Sequence, residues 1–276
     1  MRTILTYGRV LLAASLILSP LCLAEAAAQT SPFESPRTFG DDASAAWDAL
    51  GHTLSSPGRW DSSDWLLAGL TVGGATGAVF IEEEFRELML NNRSGTADAL
   101  ERVGRLYGSP IFTAPLSLAT YGLGAAFDSD GLQDTGLLMT EVLLSALLVQ
   151  QPVRIGVGRA RPATGEGHLS FQPFTFGNDY ASFISGHSWS SFGMSNVMAR
   201  QIDRWWASVV LYSLAGVTAL SRTYADKHWL SDIILGSVLG YAVSTTLWRW
   251  HNDRETGLAE ADQGAAARWL TVSFSI

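Results

Sequence analysis

Six mostly apolar stretches, at 65–81, 110–127, 135–153, 186–199, 205–220 and 231–248, limit what this chain can fold into more than any other feature. Each is long enough for roughly four to five helical turns. None shows the apolar/polar alternation of a half-buried strand. Stretches of this kind bury themselves against one another, so the expected fold is all-α, with a six-helix core bundle. The chain has 276 residues, 47% of them apolar, which is enough material for a sizeable core.

The same stretches suit buried helices or membrane spans. As a helix, 65–81 rises about 25 Å, a little short of the roughly 30 Å hydrocarbon core. The fourth stretch carries Ser188, Ser190, Ser191, Ser195 and Asn196, which is unusual for a lipid-facing helix. The N-terminus bears on the choice. Residues 1–28 begin with Arg2 and Arg9, continue through an apolar run at 10–23 and end in the small residues "AEAAAQ". That is the layout of an export signal. Cys22, the sole cysteine, lies inside it, so the mature chain is expected to have no disulfide, thiolate metal site or cysteine nucleophile. If all six stretches then span, the loops alternate sides and 82–108, with Arg86, Arg93, Arg102 and Arg105, falls in the cytoplasm.

The expected organisation is a signal at 1–28, an extension at 29–64 with one amphipathic segment, "ASAAWDALGHTL", the bundle at 65–250, and a tail at 251–276. The tail ends in "RWLTVSFSI", read as an extended segment packed on the bundle. A net charge of -8 excludes a general nucleic-acid binder, which needs a broad basic face. Any anion must be held by a local cluster.

Three polar clusters interrupt the apolar pattern. In "VRIGVGRARP", Arg154 and Arg161 are two helical turns apart and can offer forked, permanent charges to a phosphate; a basic helix end is the plainer reading. In "SFISGHSWSS", Ser185 suits a helix N-cap, Gly186 leaves room for an anion at the exposed N–H groups, and His187 stands beside them. A capped helix with a surface histidine fits that stretch as well. In "SRTYADKHWLSD", Arg222 precedes His228 and Asp232, which are four apart, so that on a helix the carboxylate can accept a hydrogen bond from the imidazole and leave its other nitrogen free.

In this order and spacing, Arg154, Arg161 and Pro162, then Ser185, Gly186 and His187, then Ser221, Arg222, His228 and Asp232, resemble the three-part signature of the type 2 phosphatidic acid phosphatase and vanadium haloperoxidase superfamily. The resemblance covers about 135–248. It implies a metal-independent, cofactor-free phosphatase for phosphate monoesters or diphosphates, with lipid or polyprenyl phosphates favoured over small soluble esters. By the same resemblance, His228 attacks phosphorus and forms a phosphohistidine, Asp232 orients it, and His187 protonates the leaving oxygen. Arg154, Arg161, Arg222, the Ser185 hydroxyl and the Gly186 N–H hold the other phosphate oxygens.

Two positions depart from the family pattern: Arg154 stands where lysine is usual, and Ile184 where proline is usual. The alternatives are a haloperoxidase holding vanadate on His228, or a non-catalytic phosphate- or lipid-binding relic. The family's site loops face outside the cell, whereas six spans after an export signal place them inside. The expectation is therefore an exported periplasmic or envelope-associated bundle, with an integral membrane protein as the alternative. The expected partner is the phosphorylated substrate, with membrane association in reach of the ten tryptophans. Among the remaining polar residues, His52, His168 and His251 read as exposed, Glu82 to Glu84 as a solvated helix end, and Glu141 as bonded within the bundle.

Overall fold

Local capping chemistry starts the first two helices. Thr38 and Asp41 form a reciprocal capping box for α1 (Phe39–Leu54), and Asp61 and Asp64 form another for α2 (Ser62–Val79). The computed structural model of the protein describes residues 38–255, so the signal and most of the tail lie outside the described residues. Among those described, all regular elements are helical, which agrees with the expected all-α fold; a single isolated bridge joins Arg159 and Phe171.

After α2 the chain bends by 63° into α3 (Glu82–Asn91), followed by α4 (Gly95–Tyr107) and α5 (Pro110–Ala126). α6 (Asp130–Ser145) continues through one π-turn at Ala146–Gln150 into α7 (Gln151–Val157). Pro152 cannot donate to the carbonyl one turn earlier, and the chain absorbs this as the π-turn rather than as a break. The register shift also turns Gln150 toward the next loop, where Nε2 donates to the Ile184 carbonyl at 2.7 Å. α8 (Gly186–Ile202), α9 (Trp205–Tyr224) and α10 (Leu230–Glu255) complete the bundle.

Five of the six apolar stretches correspond to α2, α5, α8, α9 and α10, and the third to α6 with α7. α1, α3 and α4 are additional. α3 and α4 form within the stretch 82–108, which reads in the sequence as a loop between apolar segments.

α8 is the central helix, packed on α6, α9 and α10. Its Trp189, Met194 and Val197 join Met139, Val142 and Leu247 in the core, each contributing on the order of 1.5–3 kcal/mol by burial. The serines that made this stretch unlike a lipid-facing helix are buried, and Ser195 and Asn196 bond to neighbouring helices. Tyr107 OH pairs with Ser195 Oγ at 2.8 Å, Tyr212 OH donates to Asn196 Oδ1 at 2.9 Å, and Asn196 Nδ2 donates to Ser244 Oγ at 2.8 Å. Gly236 lets α10 lie against the start of α8: a Cβ there would sit 2.5 Å from the Ser185 carbonyl.

α5 is packed the other way out. Its buried face is Thr113, Ser117 and Gly124, while Ile111 is 84% exposed and Leu123 46%. In water an apolar face this exposed is costly; against lipid it is matched. Two helical stretches, Asp130–Val157 and Leu230–Asp253, are long and apolar enough to cross a membrane, and α2 with α3 meets the same criterion as a bent pair.

The bundle has two distinct ends. At one, Tyr121 OH and Gln133 Nε2 donate to Asp42 Oδ2 at 2.7 and 2.9 Å, Gln201 Nε2 donates to the Gly131 carbonyl at 3.0 Å, and the His52 ring lies 6.5 Å from Trp250. α1 and the C-terminal part of α10 gather here. The three polar clusters gather at the other end.

Several of the plainer readings change. Glu82 is 1% exposed, not solvated, and His251 is 3% exposed and paired with Glu141, not at the surface. His52 and His168 are half-buried, and His168 Nδ1 lies 3.1 Å from Glu83 Oε1. Glu141 bonds within the bundle as expected.

Candidate active site

Arg154 occupies the last turn of α7, and Gly158 ends that helix in the left-handed region, φ 57°, where its N–H bonds the Arg154 carbonyl at 2.9 Å. The turn redirects the chain into an extended piece held by Ala160 N–H to the Ser170 carbonyl, 2.9 Å, and Gln172 N–H to the Gly158 carbonyl, 2.7 Å. Arg161 follows from that piece. Ser185 is the N-cap of α8, as its sequence suggests, with its hydroxyl accepting from the Ser188 N–H at 3.4 Å. Gly186 and His187 then form the first turn, where backbone N–H groups lack helical partners. Arg222 closes α9, and His228 immediately precedes α10.

These elements meet around one pocket of about 690 Å³. Arg154, Arg161, Gly186, His187, Arg222 and His228 all line it. Two guanidinium N–H groups, Arg161 Nε and Arg222 Nε, are buried without a hydrogen-bond partner. Buried donors are normally satisfied, so a pair of orphaned, charged donors in one pocket marks a place for an anion. Beyond the charged floor, the wall is apolar: Pro110, Ala114 and Leu118 of α5 face Leu143, Leu144 and Leu147. A cluster of charged donors and an apolar wall therefore share one pocket. Among the described residues no group of three or more His, Cys, Asp or Glu is placed to hold a metal ion.

Two of the eight expected residues stand behind the pocket rather than on its surface. Ser185 is fully buried in its cap and also accepts from the Ser188 hydroxyl at 3.0 Å. Asp232 is fully buried, and its carboxylate is 4.0 Å from His228 Nδ1, beyond hydrogen-bond range. The imidazole instead places Nδ1 on the Ser182 carbonyl at 2.5 Å. A carbonyl can only accept, so Nδ1 carries the proton and Nε2 is left with a lone pair. Asp232 reaches His228 through this loop: Oδ2 accepts from the Ser182 hydroxyl at 2.5 Å and from the Trp229 N–H at 2.9 Å.

Electrostatics keep both histidines neutral. Burial, with Arg161, Arg222 and His187 nearby, holds the His228 pKa well below the usual histidine value, against the opposing Ser182 carbonyl. Burial, then Arg222, Arg161 and Arg105, lowers His187 to about 3. The site thus presents four arginines, Arg105, Arg154, Arg161 and Arg222, and two uncharged imidazoles.

The sequence motifs missed several residues that complete the surroundings. Arg105 and Lys227 line the pocket. Arg86 grips Asp226 through a fork of 2.6 and 2.7 Å, and Trp229 Nε1 donates to the Ala160 carbonyl at 2.9 Å, so the loop carrying His228 is fixed from both sides. Ser182, Arg159 and Glu82 support it from behind. Composition offered a hint only for Glu82, an acid directly after an apolar stretch.

Known proteins resemble this chain over part of its length. Residues 135–256 match the PAP2 superfamily profile. The lipid A 1-phosphatase of Porphyromonas gingivalis is 25% identical over 177 residues, which are 63% of this chain and 35% of that protein. The chain thus spans about a third of the length of that curated relative. The crystal structure of a transmembrane PAP2 type phosphatidylglycerolphosphate phosphatase from Bacillus subtilis aligns with 80% of this chain and 97% of its own, at 17% identity and a TM-score of 0.46. The segment that matches the PAP2 superfamily profile contains Arg154, Arg161, Ser185, Gly186, His187, Arg222, His228 and Asp232 together.

Proposed function

We propose that this protein is a membrane-embedded phosphatase that removes phosphate from a lipid phosphate through a phosphohistidine. The observation that carries the reading is one pocket in which four arginines, a helix N-terminus and two neutral histidines adjoin an apolar wall. The P. gingivalis relative, named for a lipid phosphatase activity, supports the substrate class.

The geometry supports the following steps. Phosphate sits on Arg154, Arg161, Arg222 and the Gly186 N–H, which disperse the charge of its oxygens in the transition state. His228 Nε2 attacks phosphorus in line; a P–N bond forms as the P–O ester bond breaks. The departing oxygen takes its proton from His187, which the bound anion has first raised in pKa so that it carries one. Neutral again, His187 removes a proton from water, the resulting hydroxide attacks phosphorus, and the P–N bond breaks to release inorganic phosphate and free His228.

Membrane embedding is supported by α5, whose small and hydroxyl residues face inward while Ile111 and Leu123 face out, and by the two helical stretches of spanning length. Placed this way, α1 and the site lie at opposite ends of the bundle, so crossing on α2 puts the site on the side away from α1. The export signal and the face of the membrane that carries the site remain with residues 1–28, outside the described part.

A single preparation tests both halves. The expressed protein should stay with membranes through a carbonate wash, and detergent-solubilised protein should release phosphate from phosphatidic acid in mixed micelles. Brief reaction with phosphorus-32 phosphatidic acid and an alkaline quench should trap an acid-labile phosphoenzyme that His228→Ala lacks. Phosphate release with equal label in wild type and His228→Ala sinks the mechanism. Release of the protein by carbonate sinks the embedding.

A further inference from the structure

Arg159 is 3% exposed, yet it is absent from the pocket and from the motif that its neighbours Arg154 and Arg161 belong to. Its guanidinium joins two carboxylates on different helices. Nη1 donates to Asp232 Oδ1 at 2.7 Å and to the Ser231 hydroxyl at 2.8 Å, while Nη2 donates to Glu82 Oε2 at 2.6 Å. Glu82 then accepts from the Ser231 N–H at 2.9 Å and from its hydroxyl at 2.5 Å. One carboxylate therefore caps α10 and anchors the arginine together. The 63° bend between α2 and α3 is what delivers Glu82 to this place.

The consequence reaches His228 by a short chain of fixed contacts. Asp232 does not touch the imidazole within hydrogen-bond range; it holds Ser182 and the Trp229 N–H with one oxygen, and Arg159 holds its other oxygen. Ser182 in turn supplies the carbonyl that fixes the ring. A carboxylate tied at both oxygens has one orientation, and so do the two backbone segments hanging from it. Untied at Oδ1, it can rotate, and Ser182 and Trp229 move with it.

We propose that Arg159, anchored by Glu82, is a positioning residue for the His228 nucleophile, acting through Asp232 and Ser182. This rests on the phosphatase reading above. Because Arg159 is outside the pocket, it supports the rate of attack without contributing to phosphate binding. The buried ions oppose one another in charge, so loss of one partner also leaves a neighbour unpaired.

The test compares wild type, Arg159→Met, Arg159→Lys and Glu82→Gln in detergent. It reads kcat and KM for phosphatidic acid, the inhibition constant of inorganic phosphate, and the folded fraction by size exclusion and thermal melting. A nucleophile displaced by an ångström or so loses about 100-fold in rate, so Arg159→Met should lower kcat per folded molecule by about that factor. The phosphate inhibition constant should stay within about threefold of wild type, because no binding contact is lost. Arg159→Lys, which keeps the charge without the fork, should recover about tenfold. Unchanged kcat per folded molecule overturns the proposal, and so does a kcat loss matched by weaker phosphate inhibition. Should Arg159→Met not fold, Glu82→Gln decides: a kcat lowered about fivefold or more at constant inhibition supports the proposal, and a wild-type kcat overturns it. Wild-type protein that releases no phosphate overturns the phosphatase reading itself, a result separable from all of these.

Discussion

Two histidine–carboxylate pairs are buried at opposite ends of this bundle, and they are built differently. Away from the site, His251 Nε2 lies 2.8 Å from Glu141 Oε1, a direct contact between side chains 3% and 0% exposed. At the site, His228 and Asp232 are 4.0 Å apart and communicate through Ser182, while Arg159 takes the other carboxylate oxygen. The close pair looks more like a catalytic dyad on distance alone. Yet only the loose pair opens on a pocket lined by Arg154, Arg161 and Arg222. A nucleophile needs one nitrogen fixed and the other exposed to a place where charge is stabilised; a direct side-chain contact supplies only the first.

The comparison can be broken most sharply at the histidines themselves. His228→Ala should lower kcat for phosphatidic acid by at least about 10³-fold, since the covalent route is lost, while inorganic phosphate still inhibits. His251→Leu should leave kcat per folded molecule within about threefold. Phosphate release and phosphate inhibition, measured on both variants in detergent, decide this. A His251→Leu protein as inactive as His228→Ala would mean that the two pairs are not different in kind.

The stability effect should run the other way. Glu141→Ala removes the carboxylate from beside His251 Nε2 in a closed environment, and breaking a buried pair costs about 3–5 kcal/mol. Replacing both at once, as Glu141→Leu with His251→Leu, should return most of that loss, because no buried charge is then left unmatched. Thermal melts of wild type, single and double variants form the cycle. A double variant as unstable as Glu141→Ala would show that the pair contributes packing rather than charge.

Much of this site is legible in the chain because its chemistry interrupts an apolar pattern. Arg154, Gly186, His187, Arg222 and His228 stand out against their neighbours, and the structure gathers them as their order and spacing imply. The supporting residues do not stand out. Arg159 and Arg161 are the same residue type two positions apart, and only the turn at Gly158 and the bridge to Phe171 send one behind the site and leave the other in it. Glu82 opens an acidic run that reads as a helix end in water. Its burial is decided by Arg159 and Ser231, far away in sequence. α5 shows the same limit for the fold: the apolar stretch 110–127 predicts a helix, but which face turns inward depends on the close packing against α6.

The smallest effect concerns the proton on His187, and it sharpens the contrast because it is specific to the site end. In the empty site His187 is pressed to about 3 by burial and by Arg222, Arg161 and Arg105, so at neutral pH it is uncharged. A phosphate dianion in the pocket is an opposite charge at close range and raises that pKa. The sign follows: a group whose pKa is higher with ligand than without takes up a proton on binding, so phosphate affinity is greatest at low pH and falls as pH rises through the bound-state pKa. Titration calorimetry of wild type with inorganic phosphate, at pH 7 in two buffers of different ionisation enthalpy, should show net uptake of a fraction of a proton. His187→Asn should lose that uptake, and His251→Leu should keep it. Uptake unchanged in His187→Asn would assign the proton to the phosphate itself and remove His187 from the role of acid.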